Sequence, residues 1–311
     1  MTDLIPDPLA GTAQAPPLGA DIEEVESSPR KRMPVGAWLS GAWLSVVLFL
    51  ALFADFLPLQ DPAAEVARPE LAPGQDGFIF GADGNGRDMF SRLVYGGRNS
   101  LAIAVFSILI GFVIGGLLGL FSGYFRNWIG QTLSTLFDIL LAIPAVVLAM
   151  ALVAVLKGDP TDKDAFHMSP ILILIIALAI VAIPLLARIT RANTMTWSQR
   201  EFVSAARAQG AKDSRILFRE ILPNVLPAMV YIALLGMAIA IVAEGSLAIL
   251  GASVEPPTPT WGVMIVQGKA DMETAPFIMF LPIVTVFATV MALNFLSDFI
   301  RDRFDVRESA L

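Results

Sequence analysis

Residues 101–121 read LAIAVFSILIGFVIGGLLGLF, twenty-one positions without a charge. A helix crossing a hydrocarbon core needs about twenty apolar residues, so this stretch is read as a membrane span. Five more runs qualify, Val35–Leu57, Leu133–Leu156, Ile171–Ala187, Leu226–Leu250 and Pro276–Leu296. Overall composition agrees, with 56% hydrophobic and 16% charged residues and a mean hydropathy of +0.70. Soluble domains run at about 45–50% apolar and 25% charged. The apolar runs are unbroken, whereas a membrane barrel needs alternating segments of about ten residues. The expected fold is therefore an all-α integral membrane bundle of six helices. The first run is not read as a cleaved signal peptide, because it follows more than thirty polar residues and has no small-residue cleavage site.

The same run carries Gly111, Gly115 and Gly119, and Gly123 continues the spacing of four. Small residues at that interval share one helix face and let a neighbouring backbone approach closely, so this span is expected inside the bundle. Pro144, Pro184 and Pro282 fall in or near other spans, where a proline kinks a helix or frees a carbonyl. Lysine and arginine placement sets orientation. With the amino terminus in the cytoplasm, fourteen basic residues lie inside (Arg30, Lys31, Arg32, Arg126, seven between Arg188 and Arg219, Arg301, Arg303, Arg307) and seven outside. Both termini are thus expected to be cytoplasmic. Residues 1–32 form a polar tail expected to be disordered.

Chemistry-bearing residues are few. The chain has no cysteine, which excludes disulfides and thiolate metal sites, and its one histidine, His167, is read as a loop residue between spans. No metal site is expected. Asp138 and Glu244 lie at membrane depth, where a carboxylate must face protein or water. Two readings stay open for them, lining a substrate path or hydrogen-bonding to a neighbouring helix. The segment Gly81-Ala-Asp-Gly-Asn-Gly86-Arg87-Asp88 has two glycines at the spacing of a phosphate loop, but Arg and Asp stand where Lys and Ser or Thr belong. It is rejected as a nucleotide site. With no hydrolase elbow or zinc-protease pair either, no catalytic residue is expected.

The polar stretch from Arg188 to Pro227 separates two spans and contains Glu201-Phe-Val-Ser-Ala-Ala-Arg-Ala-Gln-Gly210. Residues 199–209 predict a helix, Gly210 suits a helix end with positive φ, and Asp213 is placed to cap a second helix from Ser214 that Pro223 and Pro227 then stop. The paired alanines give a surface without bulk, ringed by Arg200, Arg207, Arg215 and Arg219.

These residues carry a family resemblance. Ser204-Ala205-Ala206-x3-Gly210 followed by Leu222-Pro223 resembles the EAA loop of binding-protein-dependent ABC importer permeases. Four more segments match the dipeptide, oligopeptide and nickel permeases: Gly81 to Arg98, Asp138 to Pro144, Pro256 to Gly262, and Asp298 to Arg307. Together they cover nearly all of 33–307. Two departures stand out: Ser204 occupies the position of the motif's glutamate, with Glu201 three residues earlier, and Glu220 replaces the usual isoleucine.

The resemblance implies a type I ABC importer permease fold with an additional amino-terminal span at 33–58. It further implies an extracytoplasmic segment at 59–99, a five-helix core at 100–300 with its coupling loop at 188–227, and a cytoplasmic tail at 301–311. It implies a subunit in the bacterial inner membrane that forms half of a peptide pathway, the other half coming from a homologous permease subunit. ATP and magnesium would sit on two partner ATPase subunits, with no cofactor on this chain and no nucleic acid involved. The coupling residues it implies are Glu201, Ser204, Ala205, Ala206, Gly210, Asp213, Arg215, Leu222 and Pro223. A substrate-binding protein would meet loops 58–99 and 251–275, with Trp261 and Gly262 as candidate contacts. Nickel, opines or other small solutes are alternative cargoes within the family. A secondary transporter or an assembly protein is the alternative outside it.

Overall fold

The computed structural model describes residues 35–125, 127–158 and 168–308. The tail 1–32, Arg126 and His167 lie outside them. Ten α-helices follow in order: α1 (Val35–Leu52), α2 (Met89–Tyr124), α3 (Trp128–Ala142), α4 (Ala145–Lys157), α5 (Pro170–Trp197), α6 (Glu201–Ala208), α7 (Asp213–Arg215), α8 (Leu222–Ile249), α9 (Trp261–Gly268) and α10 (Phe277–Glu308). Among the described residues no strand forms beyond two isolated bridges, Glu65 with Arg87 and Ala82 with Asp88. Among the described residues five helical runs are long and apolar enough to cross a membrane, six if α3 and α4 count as one broken span.

Helix α2 is the axis of the bundle, and its glycines explain why. A Cβ on Gly115 would lie 2.6 Å from the Ile183 carbonyl oxygen, on Gly119 2.4 Å from that of Ala187, and on Gly123 2.7 Å from that of Arg191. The stripe thus seats α2 directly on the backbone of α5, a contact that any side chain would push apart. On another face, a Cβ on Gly116 would strike the Met229 methyl of α8 at 2.3 Å. Helix α1 packs on α10, where the Trp43 indole donates to Thr289 Oγ1 at 3.1 Å. Exposed Phe49, Phe106, Val113, Val284 and Phe287 form the outer apolar surface.

Three expectations require correction. The third span is broken: α3 and α4 meet at Ile143–Pro144 with a bend of 92°, where proline disfavours the helical conformation of the residue before it and Ile143 is extended at φ −82°, ψ 129°. The second span is longer than its apolar run, since the helix starts at Met89 inside the stretch read as an extracytoplasmic segment. The prolines after the coupling loop do not stop a helix; one continuous helical run extends from Asp213 to Ile249. Residues Ile216–Ile221 form a π turn in which the Leu222 amide donates to the Leu217 carbonyl, five residues back. That wider bonding bridges to Pro223, which takes a first-turn position of α8 where its missing N–H costs little. Pro227 and Pro184 likewise sit inside continuous helices, as does Pro282 in α10, which runs through 301–308.

Candidate functional site

At the Tyr124 end of α2 the chain leaves α5, turns, and builds α6. Val203 is the buried residue of α6 and packs with Ile216, Leu217 and Ile221 of the π turn and Leu120 of α2. Glu201, Ser204 and Ala205 are exposed, and Ala206 is half-buried. The helix ends in a Schellman motif: the Gly210 amide donates to the Arg207 carbonyl, the Ala211 amide donates to that of Ala206, and Gly210 adopts φ +81°. The expectation for Gly210 holds. That for Asp213 does not, since the residue before α7 is Lys212 without a side-chain cap. Asp213 instead accepts a hydrogen bond of 2.5 Å from the Tyr124 hydroxyl, which also accepts from Arg207 at 3.2 Å. This bond raises the pKa of the Arg207 guanidinium. Arg215 and Pro223 are exposed and Leu222 is half-buried. Tyr124, which pins α6 and α7 to the axis helix, was not among the residues singled out from the sequence; its one signal is a hydroxyl-bearing aromatic just beyond the apolar run 101–121. The result is a low surface of small side chains, rimmed by exposed Arg200, Arg207, Arg215 and Arg219. Such a surface suits docking of a partner.

The Met89 end is built differently. The Asp83 carboxylate lies 3.0 Å from Arg87 Nε and 3.4 Å from Arg92 Nε. Arg92, 1% exposed, also donates to the Pro62 carbonyl at 2.9 Å, to that of Pro257 at 3.4 Å and to Gln267 Oε1 at 2.8 Å. One guanidinium thereby ties three distant chain segments to α2. The glycine-rich turn folds onto its own carboxylates: Asp83 Oδ1 accepts from the amides of Asn85 and Arg87, and Asp88 accepts from those of Phe90 and Ser91. Carboxylates hold the N–H groups that a phosphate would need. Asp83, Arg87, Arg92, Gln267 and Asp271 line a cleft of about 240 Å³. Burial, and then the negative charges of Glu70 and Asp83, push the Asp271 pKa upward.

Glu244 takes the second of its two readings. It is 1% exposed, and its Oε1 accepts from Ser253 and Thr260 hydroxyls at 2.8 Å each. Thr260 in turn caps α9 by accepting from the Val263 amide at 3.1 Å. Gly262 fits against this carboxylate, where a Cβ would lie 2.8 Å from Oε2. Trp261, also 1% exposed, donates from its indole to the Leu93 carbonyl and from its amide to Ser100, both at 3.0 Å. Trp261 and Gly262 are therefore corrected as candidate contacts, since neither has surface to offer a soluble protein. Glu255, Pro256 and Pro257, earlier in that loop, are exposed.

Asp138 has the opposite environment. Its side chain is 61% exposed and stands 3.9 Å from Arg188 of α5, itself 67% exposed. This basic partner lies across the helix pair, fifty residues away in sequence. Nearby, Arg191 donates to the Ser134 hydroxyl. Facing lipid, each charge would cost about 2.5–3.5 kcal/mol at a helix centre. This pair must face water or protein.

Comparison with known proteins agrees with this architecture. Residues 115–309 match the family described as binding-protein-dependent transport system inner membrane component. The chain is 41% identical to a glutathione transport system permease protein, GsiD, of Escherichia coli, with 86% of each covered. It is 37% identical to a di/tripeptide transport system permease protein, DppC, of Pseudomonas aeruginosa, with 85% of each covered. The fold resembles an inward-facing form of the MetNI methionine ABC transporter, with a TM-score of 0.55 at 21% identity over 69% of this chain and 97% of that one. A multi-pass helical bundle with this match along most of its length belongs to the binding-protein-dependent transport family, and the chain is the permease component of an ABC importer.

Proposed function

We propose that the chain forms half of a translocation pathway for small peptides and is driven by ATPase subunits docked on α6. The observation that carries the coupling role is the mounting of α6. It is an exposed eight-residue helix with a rigid glycine stop, joined directly to α5 and, through the π turn, to α8. A push on it is delivered to two spans at once and, through Tyr124, to the axis helix. Rigid-body rocking of packed helices is the expected form of alternating access. Ser204 offers a hydroxyl where the motif has a glutamate, so the exposed Glu201 carboxylate supplies the negative charge of this surface.

The peptide assignment is supported by relatives whose names specify glutathione and di/tripeptides, both short chains with charged ends. In this reading α6 and both termini are cytoplasmic, and ATP with magnesium is bound and hydrolysed by two separate subunits. A homologous permease completes the path. A binding protein docks on the exposed parts of 59–88 and 251–275, where Glu255, Pro256 and Pro257 replace the buried Trp261 as contacts.

The test is reconstitution of the importer with its binding protein and labelled di- and tripeptides, including glutathione. ATP-dependent uptake is expected, and Ala205→Arg is expected to reduce co-purification of the ATPase at least ten-fold while the permease pair stays assembled. Retained ATPase binding and uptake in that variant would refute the coupling role of α6.

A further inference from the structure

We propose that the polar face shared by α3 and α5 lines the translocation pathway, with Asp138 receiving the α-ammonium and Arg188 the α-carboxylate of a zwitterionic substrate. The inference rests on the peptide-importer reading above and assigns the residues that meet the cargo.

The argument starts from helix geometry. Gln131, Thr135 and Asp138 recur at intervals of four and three, so they share one face of α3, and all three are exposed. Ser134 borders that face and is held by Arg191 of α5. Asp138 lies inside the apolar run Leu133–Leu156, and Arg188 directly follows the apolar run Ile171–Ala187 on the continuous helix α5. A charge beside such a run does not face hydrocarbon.

A second feature independently marks the same stretch of α3. Five residues beyond Asp138 the helix breaks at Ile143–Pro144, and Ile143 is 39% exposed. Open backbone at membrane depth is tolerated where it lines a water-filled cavity or is buried in protein. Finally, the ion pair is loose. At 3.9 Å with both partners mostly exposed, it contrasts with Glu244, whose Oε1 is occupied by two hydroxyls in a closed pocket. A carboxylate and a guanidinium that hold each other weakly can exchange that contact for the opposite charges of an incoming peptide, and close on each other once it leaves.

The absence of cysteine from the sequence gives a clean test in the complete importer, with partner-subunit cysteines removed. Gln131→Cys and Thr135→Cys leave the charged pair intact. In inside-out vesicles they are expected to react with a charged, membrane-impermeant thiosulfonate at least ten-fold faster than Leu39→Cys or Phe287→Cys on the outer apolar surface. Labelling as slow as in those controls overturns the pathway assignment, showing the face covered by lipid or by the partner subunit. Uptake is then measured at saturating, substrate-loaded binding protein, with binding to that protein measured separately. Asp138→Asn is expected to abolish the preference for a free over an acetylated amino end, and Arg188→Gln the preference for a free over an amidated carboxyl end. Equal loss for all ligands in both variants refutes the assignment of the charges. A wild-type importer that moves no peptide refutes the peptide reading, and with it the charge assignment, while the labelling rates decide the pathway face on their own.

Discussion

Arg92 and Arg207 sit near opposite ends of the same bundle and show two ways of using charge. At the Met89 end, Arg92 is buried and satisfies Asp83, two backbone carbonyls and Gln267. At the Tyr124 end, Arg207 is exposed, with the Tyr124 hydroxyl and ring as its contacts. The first end spends its polar groups on holding loops to helices. The second leaves them available to something outside the chain. Stability and coupling should therefore respond to substitution in opposite ways.

The largest separation is expected between Arg92→Met and Arg207→Met. Breaking a buried ion network by removing one partner costs about 3–5 kcal/mol. Arg92→Met should accordingly lower the melting temperature of the detergent-solubilised chain sharply and reduce its level in the membrane. Arg207→Met should change stability by about 0.5 kcal/mol or less, the usual range for an exposed site, yet weaken ATPase docking. Equal stabilities for the two variants would erase the contrast between the ends.

Glycine substitutions sharpen it next. Gly119→Val forces a side chain into the α5 backbone, and overpacking of this kind costs about 1–3 kcal/mol; the expected readout is loss of the folded chain by size-exclusion chromatography. Gly210→Ala meets open space and is strained by its positive φ alone, at about 1–2 kcal/mol. It should leave the bundle assembled while reducing ATP-driven uptake, because the angle between α6 and α7 changes.

A smaller effect is expected from Tyr124→Phe, which removes the hydroxyl joining Asp213 and Arg207. One such bond is worth about 0.5–1.5 kcal/mol, so a shift of a few degrees in melting temperature is anticipated, with ATPase activity less tightly tied to uptake. The smallest effect concerns Lys157 and Glu255, an exposed pair at the Met89 end. Lys157 lowers the Glu255 pKa. Since the folded value lies below the unfolded one, the contribution is present above the ordinary carboxylate range and is lost as pH falls through the depressed value. Titration of Glu255→Gln against the parent chain should show a difference in melting temperature above that range which vanishes in stronger acid.

Local signals made part of this legible in the sequence. Uninterrupted apolar runs marked the spans, the glycine spacing marked the face of α2 that meets α5, and Gly210 marked the end of α6. Each depends on residues within a turn or two of one another. Arg92 is bonded to residues 30 to 175 positions away, and Asp138 meets Arg188 across fifty, so no periodicity could pair them. Pro144 gave warning of a kink but not its size. Pro223 and Pro227 do not stop the helix, because a proline tolerated beside a π turn or inside a continuous helix looks, in sequence, the same as one that ends a helix.

The π turn itself implies something about insertion and deletion. A single wide turn is how a helix stores one residue beyond its α-helical count, leaving the stretches on either side in phase. Removing Phe218 should thus shorten the run from Asp213 to Ile249 by about 1.5 Å without rotating the face of α8 that packs on α2. Removing a residue from the middle of α8 would instead turn everything beyond it by about 100°. In this chain the link between α6 and the membrane has slack of one residue, and that residue can be taken out to learn whether the connection must yield or must be stiff.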